Sequence, residues 1–136
     1  MNRTQSIMRM LAAVFFMGAG VNHFRNMAFY ERIVPPIFPS PHALVLISGI
    51  AEIVGGLGLL IGPLRRTAGW GLIALLVAVF PANIYMAIEQ QKFAEMHMPA
   101  WTFWARLPMQ AVLIAWVWFA ALRKESARNP ANIEGR

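Results

Sequence analysis

Cysteine is absent from the 136 residues, which removes disulfides, thiol redox chemistry, thiolate metal sites and iron–sulfur clusters together. Charge is scarce as well. Only 13% of the residues are Asp, Glu, Lys or Arg, against roughly 25% in an average soluble domain. A small soluble protein needs charge to coat a surface that is large relative to its volume, so this composition excludes the soluble globular, disordered and fibrous classes. What is abundant is apolar: 58% of residues are hydrophobic and the mean hydropathy is +0.52. An integral membrane protein fits that balance. A bilayer-spanning helix takes about 20 residues, so the chain holds at most four or five spans and no separate soluble domain.

The net charge of +6 does not point to nucleic acid, because the basic residues form no stripe interleaved with aromatics. They sit at the ends of apolar runs, as membrane-anchoring residues do. Four such runs predict spans at about 7–24, 43–64, 67–88 and 101–122. The first is the shortest, and Arg3, Arg9 and Gly18-Ala19-Gly20 give it some likeness to a cleaved signal peptide; it is read as a span. The connection from Arg25 to His42 carries Pro35, Pro36, Pro39 and Pro41, which rule out a helix through it. Its Phe29, Tyr30, Ile33 and Phe38 place it on the membrane surface. Pro63-Leu64-Arg65-Arg66 reads as a tight turn. With no internal repeat, residues 1–128 form a single four-span domain, and Ile133-Glu134-Gly135-Arg136 is set aside as a Factor Xa cleavage site left from cloning.

Orientation follows from the positive residues. Arg3, Arg9, Arg65, Arg66, Arg123, Lys124 and Arg128 fall on one side, and Arg25, Arg32 and Lys92 on the other. Both termini are therefore expected in the cytoplasm, and the fold class is an all-α integral membrane, up-down four-helix bundle. A multi-pass protein of a cell membrane, with the bacterial cytoplasmic (inner) membrane favoured, is the expected setting.

Polar residues inside the spans carry the functional reading, because burying them in lipid is costly. Glu52 lies roughly 13 Å into the second span at helical rise. Asn83 follows Pro81, which frees the carbonyl of Val77 and kinks the third span. Arg106 and Gln110, four apart, share a face of the fourth span. Asn22 and His23 close the outer end of the first. With the termini inside, all six converge on the outer half. Ser48, Glu52 and Gly56 share a face flanked by Gly49 and Gly55; Gly58-x-x-x-Gly62 adds small residues at close-packing spacing, and Gly18 lies one turn before Asn22.

Two readings of this cluster compete. Glu52 and Arg106 form a static ion pair that fixes helix register, with Asn83 and Gln110 as interhelical glue. Alternatively, Asn22, His23, Glu52, Asn83, Arg106 and Gln110 line a ligand cavity opening outward, with Phe24 and Tyr30 on its apolar rim. Passage of protons or ions would need a polar path through both leaflets, which the sequence lacks. His23, His42 and His97 match no metal-ligand spacing, so no metal site is expected, and haem would need two facing histidines within the bundle. Trp70, Trp101 and Trp104 read as aromatic belt, Trp116 and Trp118 as packing or lipid-facing residues, and the methionines as adaptable filler.

Gly20-Val21-Asn22-His23-Phe24, Ser48-Gly49-Ile50-Ala51-Glu52, Leu64-Arg65-Arg66, Val79-Phe80-Pro81-Ala82-Asn83-Ile84 and Arg106-Leu107-Pro108-Met109-Gln110 together resemble the DoxX-like family of small membrane proteins, over about residues 8–122. The resemblance implies a four-helix membrane fold, with Glu52, Asn83 and Arg106 matching the family's intramembrane Glu, Asn and Arg. It also implies a link to quinone-coupled or other redox partners, since named relatives are subunits of quinone-linked sulfur-oxidising enzymes or membrane partners of redox proteins. The missing cysteines bar the disulfide relay chemistry of thiol-active four-helix proteins.

The functional expectation is a non-catalytic module that binds a small lipid-like or amphipathic ligand, or a partner helix, in an outer-half polar cavity. The alternatives are a quinone-linked subunit of an oxidoreductase and an assembly factor with a purely structural polar core. In the quinone reading Glu52 relays protons, Arg106 and His23 hold the quinone oxygens, and another subunit supplies electrons. No cofactor is evident apart from that quinone, and no catalytic residue is assigned. The partners are the lipid bilayer, the ligand, and a membrane-protein partner or a second copy; nucleic acid is not among them.

Overall fold

The computed structural model describes residues 3–123. Lys124, Arg128 and the Ile133-Glu134-Gly135-Arg136 sequence lie outside the described residues. Five α-helices follow one another: α1 (Arg3–Arg25), α2 (Met27–Ile33), α3 (Pro41–Leu60), α4 (Arg65–Ile88) and α5 (Ala100–Val117). A 3₁₀ turn at Gly62–Leu64 joins α3 to α4, another at Gln90–Met96 joins α4 to α5, and a wide turn at Trp118–Leu122 extends α5. Among the described residues, four helical segments are long and apolar enough to cross a membrane: Arg3–Arg25, Pro41–Leu60, Gly62–Ile88 and Ala100–Leu122.

Local chemistry sets the helix ends. α3 starts with Pro41 in its first turn after Ser40 in the left-handed region, using a proline that needs no intrahelical donor there. It stops at Leu60, short of the expected 64, because Ile61 is extended and Gly62-Pro63 turns the chain. The Pro-rich connection departs from expectation. Residues 27–33 are helical, and only 34–40 are not: Val34, ahead of Pro35, is extended, as a residue preceding proline prefers. The four prolines stop this helix without preventing it. α4 runs through Pro81, and α5 through Pro108.

Side-chain contacts define which helices are neighbours. Gly20 of α1 meets Gly49 and Ile53 of α3, while Gly56 of α3 meets Ala13 and Met17 of α1, so these two helices run antiparallel. Gly55 and Gly58 of α3 face Leu72 and Ala68 of α4. Gly69 of α4 faces Ala121 and Leu122, and Asn83 of α4 reaches Gln110 of α5. The ring closes where Trp116 Nε1 donates to the Met8 carbonyl at 3.0 Å and Gln5 Nε2 donates to the Phe119 and Arg123 carbonyls at 3.0 and 3.1 Å.

The α1–α3 junction is the tightest. A Cβ on Gly20 would stand 2.6 Å from the Gly49 carbonyl oxygen and 2.7 Å from Ile53, so only glycine lets the backbones approach this closely. The small residues expected to pack at Gly18 and Gly62 do not: neither has any atom within 4 Å of the Cβ position. Gly62 lies beyond the end of α3, so the Gly58–Gly62 spacing never forms a helix face.

Among the described residues, two apolar clusters pack between the helices. Ala12, Ala13, Phe16, Leu59, Leu72, Leu76 and Val117 pack together in the half that holds the α3–α4 turn. Ile33, Met86, Ala87, Phe93 and Phe103 pack at the opposite end, under α2 and the Gln90–Met96 turn. The outward faces remain apolar, with Ile47, Val54, Val77 and Val112 well exposed, as lipid-facing residues are.

Candidate functional site

The six polar residues singled out from the sequence do not form one cluster. They divide into three sets, each held between a different pair of elements, and one residue stands apart.

Glu52 pairs with His23. Its Oε2 lies 3.3 Å from His23 Nε2, and both side chains are about nine-tenths buried, at 11% and 12% exposure. The approach is close but misaligned, so the buried Oε2 has no well-formed hydrogen bond. On the other side of the ring, Nδ1 faces the Val45 carbonyl at 3.4 Å. A carbonyl can only accept, which puts a proton on Nδ1 and turns Nε2 toward the carboxyl. A single further proton between Nε2 and Oε2 makes either an imidazolium–carboxylate pair or a neutral imidazole–carboxylic acid pair.

The expected Glu52–Arg106 pair is therefore corrected. α3 lies between α1 and α4, whereas α5 packs on α4 and the start of α1, so Glu52 turns to α1 and Arg106 cannot meet it. Arg106 is half-buried and makes no hydrogen bond or ion pair with any described residue.

Asn83 and Gln110 join α4 to α5. Asn83 Nδ2 donates to Gln110 Oε1, and Gln110 Nε2 donates in turn to the Leu76 carbonyl. That carbonyl lies next to Val77, whose usual donor Pro81 lacks, so the amide engages the backbone where the proline disturbs it. This is the glue role expected of these two residues. Asn22 joins the end of α1 to α2. Its Nδ2 donates to Tyr30 Oη at 2.8 Å and its Oδ1 accepts from Asn26 Nδ2 at 2.6 Å.

The cavity lies beside this set of pairs, not among them. It has a volume of about 350 Å³ between the end of α1, α2, the Pro-rich segment, the first turns of α3 and residues 75–82 of α4. Of the six expected lining residues only His23 borders it, and of the two expected rim residues only Tyr30 does. The expected polar lining is corrected to an apolar one: Ile33, Val34, Phe38, Val45, Ile47, Leu75, Val79 and their neighbours form the walls. Polar side chains at helix–helix seams satisfy one another there, which leaves the wider gap under α2 to apolar groups. A second depression, of about 430 Å³, is lined by α1 alone, from Val14 to Arg25, and is a groove on one helix face.

Tyr30 connects the pairs to the cavity. Its ring lies tilted against His23 at 4.2 Å between centroids and meets Phe29 edge-to-face at 5.3 Å. Nothing in the sequence distinguishes Tyr30 from an ordinary interfacial aromatic, and its place depends on α2, which the prolines conceal.

α2 is fastened from both sides. His42 Nδ1 lies 2.6 Å from Glu31 Oε1, and Arg32 pairs with Glu95, donates to the Lys92 carbonyl at 2.8 Å and covers the Phe93 ring at 5.2 Å. The Arg32 guanidinium, chiefly by hydrogen bonding, holds the Glu95 carboxyl below its ordinary value. The Tyr85 hydroxyl, followed by the charge of Glu89, raises Lys92. Among the described residues no group of three His, Cys, Asp or Glu is placed to hold a metal ion.

Four helices long and apolar enough to cross a membrane, with buried polar pairs at their seams, are those of an α-helical membrane protein. A family model described as a domain of unknown function (DUF8561) matches residues 11–121, from within α1 to the end of α5 and beyond, and the chain belongs to that family. No curated protein matches it, and no solved structure matches it.

Proposed function

We propose that this chain is a non-catalytic membrane module whose cavity under α2 binds a small lipid-like molecule. In this reading the four long helices stand as an up-down bundle in a bacterial cytoplasmic membrane, with both termini inside. Support for the orientation comes from Arg3, Arg9, Arg65, Arg66 and Arg123 at one end of the bundle and Arg25, Arg32 and Lys92 at the other. The DoxX-like resemblance is kept as part of the same proposal.

The cavity carries the reading. At roughly 30 Å³ per water it has room for about ten waters, and each water needs two or more polar partners. The lining offers three polar side chains, His23, Tyr30 and Ser48, and Ser48 Oγ already donates to the Leu44 carbonyl at 2.7 Å. Such a space is poorly suited to water and well suited to an apolar body, and its volume falls in the range of small-ligand pockets.

The His23–Glu52 pair favours a second reading, a quinone-linked subunit of a membrane oxidoreductase. A carboxyl and an imidazole that share one proton next to an apolar cavity can deliver or accept that proton. Electrons would come from another subunit.

Mass spectrometry of the molecules that copurify in lipid nanodiscs tests the proposal, with Ala78→Trp as the filled-cavity control. A species held by the wild type and lost from Ala78→Trp is the expected result. Identical extracts from both would overturn it and leave a scaffold with a structural polar core. A copurifying quinone that turns over with a redox partner would favour the second reading.

A further inference from the structure

Resting on the reading of the cavity as a ligand site, we infer that its ligand is a neutral amphipath whose polar end carries a hydrogen-bond acceptor, such as a ketone, ester or quinone carbonyl, received by the Tyr30 hydroxyl. Three observations lead there. No lysine, arginine, aspartate or glutamate lines the cavity, so nothing in its wall compensates a charged headgroup, and an uncompensated charge is costly in this setting. Two of the three polar side chains that do line it are already engaged. Ser48 Oγ donates to Leu44, and the two ring nitrogens of His23 face Val45 and Glu52.

Tyr30 is the third. Its oxygen accepts from the Asn22 amide, while its own proton reaches no acceptor among the described residues. The phenol is thus the one lining side chain with a donor to give, and a donor selects an acceptor. Its position is built. The ring lies against His23 and meets Phe29 edge-to-face, Asn22 holds the oxygen, and Asn26 holds Asn22 at 2.6 Å. A hydroxyl oriented before the ligand arrives loses little freedom on binding.

The test uses the full chain in nanodiscs and two photoreactive probes with the same alkyl diazirine chain, one ending in a methyl ketone and one in a carboxylate. The ketone probe should label the cavity-lining residues with the higher affinity. Tyr30→Phe, which keeps both ring contacts, should weaken the ketone probe by about three- to tenfold, the worth of one hydrogen bond. Ala78→Trp should abolish labelling by both. Equal binding of the two probes, or a ketone affinity indifferent to Tyr30→Phe, overturns the headgroup inference while the site stands. Labelling that Ala78→Trp does not reduce overturns the site itself. A thermal melt of each variant separates loss of binding from loss of fold.

Discussion

His23→Leu and Glu52→Leu, made singly and together, measure how much the α1–α3 junction depends on the pair that joins it. Both side chains are about nine-tenths buried, but their remaining partners differ, so the two single losses should differ too. His23→Leu strands a carboxyl whose Oε2 has no other partner; breaking a buried pair this way costs about 3–5 kcal/mol. Glu52→Leu leaves a neutral imidazole that still faces the Val45 carbonyl through Nδ1. The loss is then one unsatisfied acceptor, about 1–3 kcal/mol. The double variant removes both polar groups and should lose less than the sum, by a coupling of about 1–3 kcal/mol. Unfolding by SDS titrated into bicelles, followed by tryptophan fluorescence, reads all three. A parallel cycle on Glu52 and Arg106 should be additive within about 0.5 kcal/mol, as for residues that do not meet. Additive losses at His23 and Glu52, or a coupling above about 1 kcal/mol at Glu52 and Arg106, would refute the pairing, and so would Glu52→Leu proving the costlier single change.

The same unfolding assay should rank two glycines of α1. Gly20→Ala drives a methyl into the Gly49 carbonyl and should cost about 1–3 kcal/mol, whereas Gly18→Ala meets open space and should be neutral or stabilising by up to about 1 kcal/mol; equal effects would place the α1–α3 contact elsewhere. Gln110→Leu should cost about 1–3 kcal/mol, because it leaves the Asn83 amide without its acceptor, and Asn83→Leu added to it should cost little more. Glu95 is held below its ordinary carboxylate value of 4.5 by Arg32; a lowered folded value means the bridge is present above 4.5 and lost only as pH falls through that lower value. The hydrogen-exchange protection factors of residues 90–96 should therefore hold down to pH 4.5 and fall below it in the wild type, while Glu95→Gln should be the less protected at every pH above that. Single cysteines at Ala94 and Arg66, both exposed and at opposite ends of the bundle, should react with an impermeant thiol reagent from opposite sides of the membrane, Ala94 from outside; labelling of Arg66→Cys in intact cells would reverse the orientation.

Composition alone marks this as a membrane chain, since 13% charge cannot coat a soluble surface, and the four apolar runs are legible because lipid demands about 20 apolar residues per span. The glue role of Asn83 and Gln110 is legible too, as amides within apolar helices need partners on a neighbour. Three things are not. α2 is hidden because four prolines in one connection suggest an irregular loop throughout, when a helix that ends at Ile33, before the first of them, is left intact. Pairing Glu52 with Arg106 rests on opposite charge, and charge says nothing about which helices are adjacent. The choice between Gly18 and Gly20 as the packing residue is open for a like reason: each is one of many small residues, and the rotation of α1 about its axis selects between them.

Hydropathy, proline and length act locally along the chain. They set the number of long helices, most of their ends and the presence of polar groups that must find partners, and all of these can be read from the residues in order. Which partners those groups find is settled only when the helices pack. α3 sits between α1 and α4, so Glu52 reaches His23 and Arg106 stays apart; α2 folds over the end of α1 and α3, so an apolar cavity opens beneath Tyr30 instead of among the amides. Neighbour order, helix rotation and the spaces left between unequal surfaces are properties of all the helices at once, and no local pattern encodes them.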